Sequence, residues 1–211
     1  MHIIASRCKK LNLILSKKKC AIGTSLPFAG YIVSSEGISP DQERVVALSK
    51  FPVPKDSTGV KSFLGLANQL SFFIPDFAQN TKSLRELLGK GKVFRWLPDH
   101  QFEFEATKKI LSSNLLNHHF DASKPVDLLT DASRHHGLGY ALCQRDSNDN
   151  LYIVTCGSKS LTPTQQRYAT IELECLAIVW AVQKCQFYLR GLPNFRVLTD
   201  HRPLELSLIH I

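Results

Sequence analysis

Hydrophobic positions along the chain change their spacing near residue 125. Before that point most of them recur with helical period. Ile3 to Leu15 reads as an amphipathic helix with Lys9 and Lys10 outward, followed by the basic run Lys17, Lys18 and Lys19. In "FAGYIVSSEGISP" two apolar stretches flank Ser34, Ser35, Glu36 and Gly37, the pattern of a hairpin. A helix is predicted from Pro40 and Asp41 to just before "FPVPK", where Pro52 and Pro54 forbid helix and mark a linker. Asp56 or Ser57 can then cap a helix whose Val60, Phe63, Leu64 and Ala67 fall at i, i+3, i+4 and i+7. "TKSLRELLGKG" sets Leu84, Leu87 and Leu88 on one side with Gly89 as a stop, and a further helix spans Pro98 to Ser112. Trp96, Phe102 and Phe104 are assigned to the aromatic core of this small helical unit rather than to ligand stacking.

From Val126 the texture is that of strands. A run at 126–132, an alternating run from Leu138 to Gln144, the polar turn "RDSNDN" and a run from Leu151 to Cys156 give three hairpin-linked strands. A long helix over about 164–190 and a last strand at 195–199 complete a β-β-β-α-β order. Such an order makes a mixed sheet with a crossover helix.

Composition narrows the class. The 211 residues are 44% hydrophobic, enough for one large or two small domains with true cores. Six cysteines are scattered with no C-x-x-C pair, which argues for reduced thiols in an intracellular, non-secreted protein and against a disulfide or zinc framework. No apolar run approaches the roughly 20 residues of a membrane span, and no signal-peptide order opens the chain. The net charge of +8 is uneven: residues 1–125 hold 18 Lys/Arg against 10 Asp/Glu, and residues 126–211 hold 8 against 8. A basic segment beside a neutral one with clustered carboxylates matches a nucleic-acid clamp attached to a metal-dependent site, although a merely basic surface explains the charge equally well.

Three carboxylates stand where apolar residues would otherwise continue. Asp131 in "VDLLTDAS" and Asp200 in "FRVLTDHRPL" follow strand-like runs, and Glu174 interrupts the apolar helix "IELECLAIVWAV". An ionised carboxylate against such surfaces is costly unless a cation or hydrogen bonds compensate. Three of them in strand, helix, strand order point to a shared divalent metal site. Taken singly, an Asp after a strand is more often a turn former or cap. Glu172 competes for the helix position. On a 3.6-residue wheel, however, Glu174 falls beside Ile171, Ile178, Ala181 and Cys185, and Glu172 beside Gln183 and Gln186. Gly137 and Gly139 are no dinucleotide fingerprint, because no helix follows them. His135 and His136 read as polar turn residues, and His201 as a loop imidazole or a substrate contact.

The segments "LNLILSKKKCAIG", "FAGYIVSSEGISPD", "KSFLGLAN", "FIPDFA", "TKSLRELL", "FRW" with "FEATKKIL", "SKPVDLLTDAS", "GLGYALCQ", "SKSLTPTQQRYATIELECLAIVWAV" and "VLTDHRPL" carry a resemblance. In that order they resemble the C-terminal part of a gypsy-type LTR-retrotransposon reverse transcriptase. The resemblance implies an α/β and α+β multidomain chain: residues 1–55 ending the palm, 56–122 forming a small helical thumb and connection, and 123–205 forming a truncated RNase H-like domain. It implies an RNA-directed DNA polymerase and ribonuclease H by family, with the RNase H domain hydrolysing the RNA strand of RNA/DNA hybrids. Two Mg²⁺ or Mn²⁺ ions roughly 4 Å apart would be held by carboxylates, which suit hard cations. Matched motif to motif, Asp131, Glu174 and Asp200 take the metal-ligand positions.

The partners implied are the hybrid, the template-primer duplex and the rest of the polyprotein, with no membrane, in the cytoplasm (a virus-like particle) or nucleus. Lys9, Lys10, Lys17, Lys18, Lys19 and Lys61 are the candidate backbone contacts. Hybrids are read through shape, phosphates and 2′-hydroxyls. A non-catalytic nucleic-acid-binding relic or a structural RNase H-like tether is the alternative function.

Four departures from the family pattern carry expectations of their own. The Tyr-x-Asp-Asp polymerase hairpin does not occur in these 211 residues. The family's fourth carboxylate, and often a histidine, belong to elements beyond those present, so the metal site and sheet are expected to be incomplete. After "GLAN" the family's aromatic and basic pairs are replaced by Gln69, Leu70, Ser71 and Phe72. The loss of two charges lowers the salt dependence of binding by up to about two units of slope. Residues 206–211, "LSLIHI", depart as well. They are the translation of CTG TCT CTT ATA CAC ATC, similar to the end sequence of transposase-based library kits, and read as an adaptor-derived tail.

Overall fold

The computed structural model describes residues 2–200 apart from 15, 17–19, 90 and 114. The proposed adaptor tail, His201 and the run Lys17–Lys19 therefore lie outside the described residues.

Helix α1 (His2–Lys10) stops short of the expected Leu15, with Asn12 in the left-handed region at φ 52. Three strands follow, β1 (Ser25–Phe28), β2 (Tyr31–Ser34) and β3 (Gly37–Pro40), in antiparallel order. The β1–β2 turn is Ala29-Gly30 with φ 52 and 82, the positive-φ pair that a two-residue hairpin turn requires. The β2–β3 turn is the one that the Ser34 to Gly37 cluster announces. Helix α2 (Gln42–Ser49) begins at the Asp41 cap, whose Oδ1 accepts from the Glu43 N–H at 3.1 Å.

Helix α3 (Ser57–Asn68) is capped by Asp56 rather than Ser57, and Asp56 Oδ1 accepts from the Gly59 N–H at 2.7 Å. Asp56→Ala is therefore expected to destabilise the helical core by about 1 kcal/mol, measured by urea denaturation, whereas Ser57→Ala leaves that midpoint unchanged. Val60, Phe63, Leu64 and Ala67 all face inward. They meet residues from α4 (Phe77–Asn80), α5 (Lys82–Glu86) and α6 (Pro98–Leu111) in one core that contains Leu48, Phe73, Leu84, Phe104 and Leu111.

Phe104 packs on Phe63 at 4.6 Å between ring centroids, and Trp96 meets Phe104 edge-on at 5.9 Å. Phe102 corrects the expectation, since it is 76% exposed. The inward face of α6 is His100, Phe104, Thr107 and Leu111, and a residue two before Phe104 points away from that face. Gln69 and Phe72, which stand in place of the family's usual residues, have structural partners. Arg44 donates to Gln69 Oε1 at 2.9 Å, and Phe72 packs edge-on against Tyr31.

The short strand β4 (Asn117–His118) joins β3 and closes the first sheet, in the order β1-β2-β3-β4. The second sheet holds β5 (Asp127–Ser133), β6 (Gly137–Arg145), β7 (Leu151–Lys159) and β8 (Arg196–Leu198), in the order β7-β6-β5-β8. Helix α7 (Thr170–Leu189) is the crossover, and β8 pairs parallel with β5. This is the mixed sheet expected from the order of the runs. Leu128, Leu142 and Val154 pack with Ala181, Cys185 and Leu189 of α7. One buried charge belongs to the scaffold: Asp127, 2% exposed, accepts two hydrogen bonds from Arg196 at 2.7 and 2.9 Å and so ties β8 to β5.

Candidate metal centre

The strand order brings distant carboxylates together. Asp127, Leu128 and Leu129 of β5 stand opposite Arg196, Val197 and Leu198 of β8. Continuing that register by two residues sets Asp131 beside Asp200, on neighbouring strands about 4.8 Å apart. Helix α7 packs over β5 and β6 and presents Glu174 from its second turn. One carboxylate oxygen from each of Asp131, Glu174 and Asp200 lies within 4.8 Å of the others.

Their surroundings differ. Asp131 and Asp200 are exposed, whereas Glu174 is 3% exposed and its Oε2 has no hydrogen-bond partner. Burial, followed by the charges of Asp200 and Asp131, pushes the Glu174 carboxyl up to about 7, and hydrogen bonds from the Ala132 backbone and the Thr199 side chain pull the other way. Glu172 has a different occupation, since its carboxylate accepts from the Ala169 N–H at 2.8 Å and closes the first turn of α7. An orphaned buried carboxylate oxygen beside two like charges is the arrangement that a cation relieves. Hard divalent ions match an all-oxygen donor set of this kind.

Asp131 and Asp200 open onto a cavity of about 410 Å³ whose lining includes Pro75 and Asp76 of the helical unit. Asp76 is a residue that the sequence reading missed. Burial, then the charge of Asp131, pushes its carboxyl up, and His136 of the β5–β6 turn opposes the shift. The only local signal was its place in "FIPDFA", and nothing in spacing or periodicity connects residue 76 with residue 131. Of the candidate lysines, Lys9 and Lys10 are exposed in the last turn of α1 and Lys61 is exposed on α3. None of these three lines the cavity.

Residues 121–210 match the model of the RNase H-like domain found in reverse transcriptase. This segment belongs to the reverse-transcriptase RNase H-like family. The resemblance holds along the rest of the chain as well. The Transposon Tf2-3 and Tf2-4 polyproteins of Schizosaccharomyces pombe are each 34% identical over 203 residues, 95% of this chain and 15% of theirs. The chain thus spans about a seventh of the length of these relatives.

Solved structures share the fold. The foamy viral protease-reverse transcriptase in complex with RNA/DNA hybrid superposes with a TM-score of 0.75 at 20% identity, over 99% of this chain and 29% of that one. Its dRH form in complex with double-stranded DNA gives 0.73 at 19% identity, over 96% of this chain and 36% of that one. The second sheet with α7 accordingly has the RNase H-like fold.

Proposed function

We propose that this RNase H-like domain hydrolyses the RNA strand of RNA/DNA hybrids with two Mg²⁺ or Mn²⁺ ions held by Asp131, Glu174 and Asp200. The observation that carries the reading is the convergence of those three carboxylate oxygens within 4.8 Å, one of them buried and without a partner. Bound there, the two ions would acidify an attacking water and stabilise the leaving 3′-oxygen.

The chain's own residues set the conditions for that chemistry. Asp131, central in the strand order, has a neighbour on each side and is the ligand suited to sharing. Glu174 approaches from behind on a helix packed by Leu173 and Ala177, so its carboxylate cannot swing out to water. Asp200 is fixed through β8 by the Arg196–Asp127 pair four residues earlier. The open side of the cavity leaves room for a phosphodiester. No helix among the described residues is long and apolar enough to cross a membrane.

The decisive test is a hybrid with labelled RNA and DNA strands, incubated with the chain and with a polypeptide extended past Glu205 in place of residues 206–211, with and without Mg²⁺. Metal-dependent cleavage of the RNA strand alone is expected. Binding of hybrid without any cleavage by either polypeptide would replace this reading with that of a nucleic-acid-binding module.

A further inference from the structure

Residues 71–78 cross from the helical core to the second sheet and are fastened on both sides of Asp76. Asn117 Nδ2 and Cys156 Sγ donate to the Phe72 carbonyl at 2.9 and 3.2 Å, and the Ala78 N–H donates to Ser158 Oγ at 2.7 Å. Between these anchors Asp76 occupies the left-handed region, φ 56 and ψ 24, a conformation that non-glycine residues adopt at a cost. An Asp at a helix start ordinarily caps the free N–H groups of the first turn. The Asp76 side chain makes no such bond to α4.

Its carboxylate rests instead on the second sheet. A Cβ built on Gly139 would lie 3.1 Å from Asp76 Oδ1, so the carboxylate sits over bare backbone. Gly139 is the cross-strand partner of Asp131. Directly opposed residues of an antiparallel pair have Cβ positions about 4.5–5.5 Å apart, which puts Asp76 beside Asp131 on the β6 side. Asp200 is beside Asp131 on the other side, because β5 lies between β6 and β8. Asp76, Asp131 and Asp200 line the same cavity, and among the described residues no Lys, Arg or His lines it with them. The buried, partnerless Oε2 of Glu174 is the independent sign that this acidic wall faces a cation.

We propose that Asp76 is a cation-positioning residue supplied by the helical unit. Its carboxylate stands on the Gly139 side of Asp131, opposite Asp200 on the β8 side, where it would help to hold a cation shared with Asp131. The inference rests on the reading of Asp131, Glu174 and Asp200 as a divalent-metal site. It adds that this contribution depends on residues 71–78 being docked on β6 and β7. Gly139 acquires a reason to lack a side chain, since any Cβ there crowds the Asp76 carboxylate.

The test is a Mn²⁺ titration of the whole 211-residue chain, with free ion followed by electron paramagnetic resonance and folding checked by circular dichroism. Two ions are expected to bind the parent. Asp76→Asn is expected to keep the tighter ion and to weaken the other by about tenfold or more, as loss of an orienting partner does at metal sites. Gly139→Ala, which displaces the carboxylate without removing it, is expected to do the same, whereas Glu174→Gln weakens the tighter ion. Two ions bound with parental affinity or better by both Asp76→Asn and Gly139→Ala would overturn the role of Asp76 and leave the three-carboxylate reading standing. A parent that binds no Mn²⁺ would overturn both.

Discussion

Asp131→Asn is expected to lower Mg²⁺-dependent cleavage of the RNA strand by about 10³-fold or more, equivalent to about 4 kcal/mol of barrier, in whichever length of polypeptide shows cleavage. The size follows from position. Asp131 is the strand residue between β6 and β8, and its oxygen lies within 4.8 Å of those of both Glu174 and Asp200. The amide keeps the shape and loses the charge, so each ion that shares this side chain is weakened. Asp131 is exposed and belongs to none of the three hydrophobic clusters, so the thermal midpoint should shift by no more than a surface substitution does. Glu172→Gln is the matched control, because Glu172 holds the Ala169 N–H and faces away from the carboxylate cluster. Initial rates on a labelled hybrid decide the matter. A rate above a tenth of the parent's for Asp131→Asn, or an equal collapse for Glu172→Gln, would remove the assignment.

Those two glutamates show what the sequence makes legible. Glu174 stands out because it breaks an apolar stripe, and burial of that stripe is what the helical period encodes. Val60, Phe63, Leu64 and Ala67 were readable for the same reason, as were the three strands of the second sheet and the crossover helix. Where two apolar residues sit close together in one helix, composition alone cannot say which faces in. Phe102 and Phe104 are such a pair, and only Phe104 meets Phe63.

Short or exposed elements were not legible either. β1 contains Pro27 and is mostly exposed, so it lacks the alternation that marks a half-buried strand. Helix α7 begins at Thr170 rather than near 164, because Gln165–Arg167 form a separate 3₁₀ turn and Glu172 caps the Ala169 N–H. Asp76 was the deepest omission. Its relation to Asp131 is created by the docking of residues 71–78 on β7 through Cys156 and Ser158, and no local pattern carries that information.

The buried glutamate also ties stability to pH, with a sign opposite to that of a salt-bridged carboxylate. In the unfolded chain Glu174 titrates near 4.5, and in the fold burial and its acidic neighbours raise it to about 7. Between those values the folded state holds a proton that the unfolded state has released, so unfolding free energy falls as pH rises. The contribution is fully present below pH 4.5 and is lost as pH climbs through about 7. At about 1.4 kcal/mol per unit the loss for the metal-free chain is of the order of 2–3 kcal/mol. Urea denaturation in a chelating buffer from pH 5 to pH 8 measures it. Glu174→Gln, which cannot ionise, should flatten the slope in that window and be the more stable protein at pH 8. Mg²⁺ should act in the other direction, because it binds the ionised form. At 100 times its dissociation constant it adds about 2.7 kcal/mol to the parent at pH 8, with much less at pH 5 and little for Glu174→Gln. One substitution is thus expected to abolish cleavage and to raise metal-free stability together. A Glu174→Gln protein less stable than the parent at pH 8 would mean that the hydrogen bonds from Ala132 and Thr199 outweigh burial and repulsion, and that the carboxylate is not waiting for a cation.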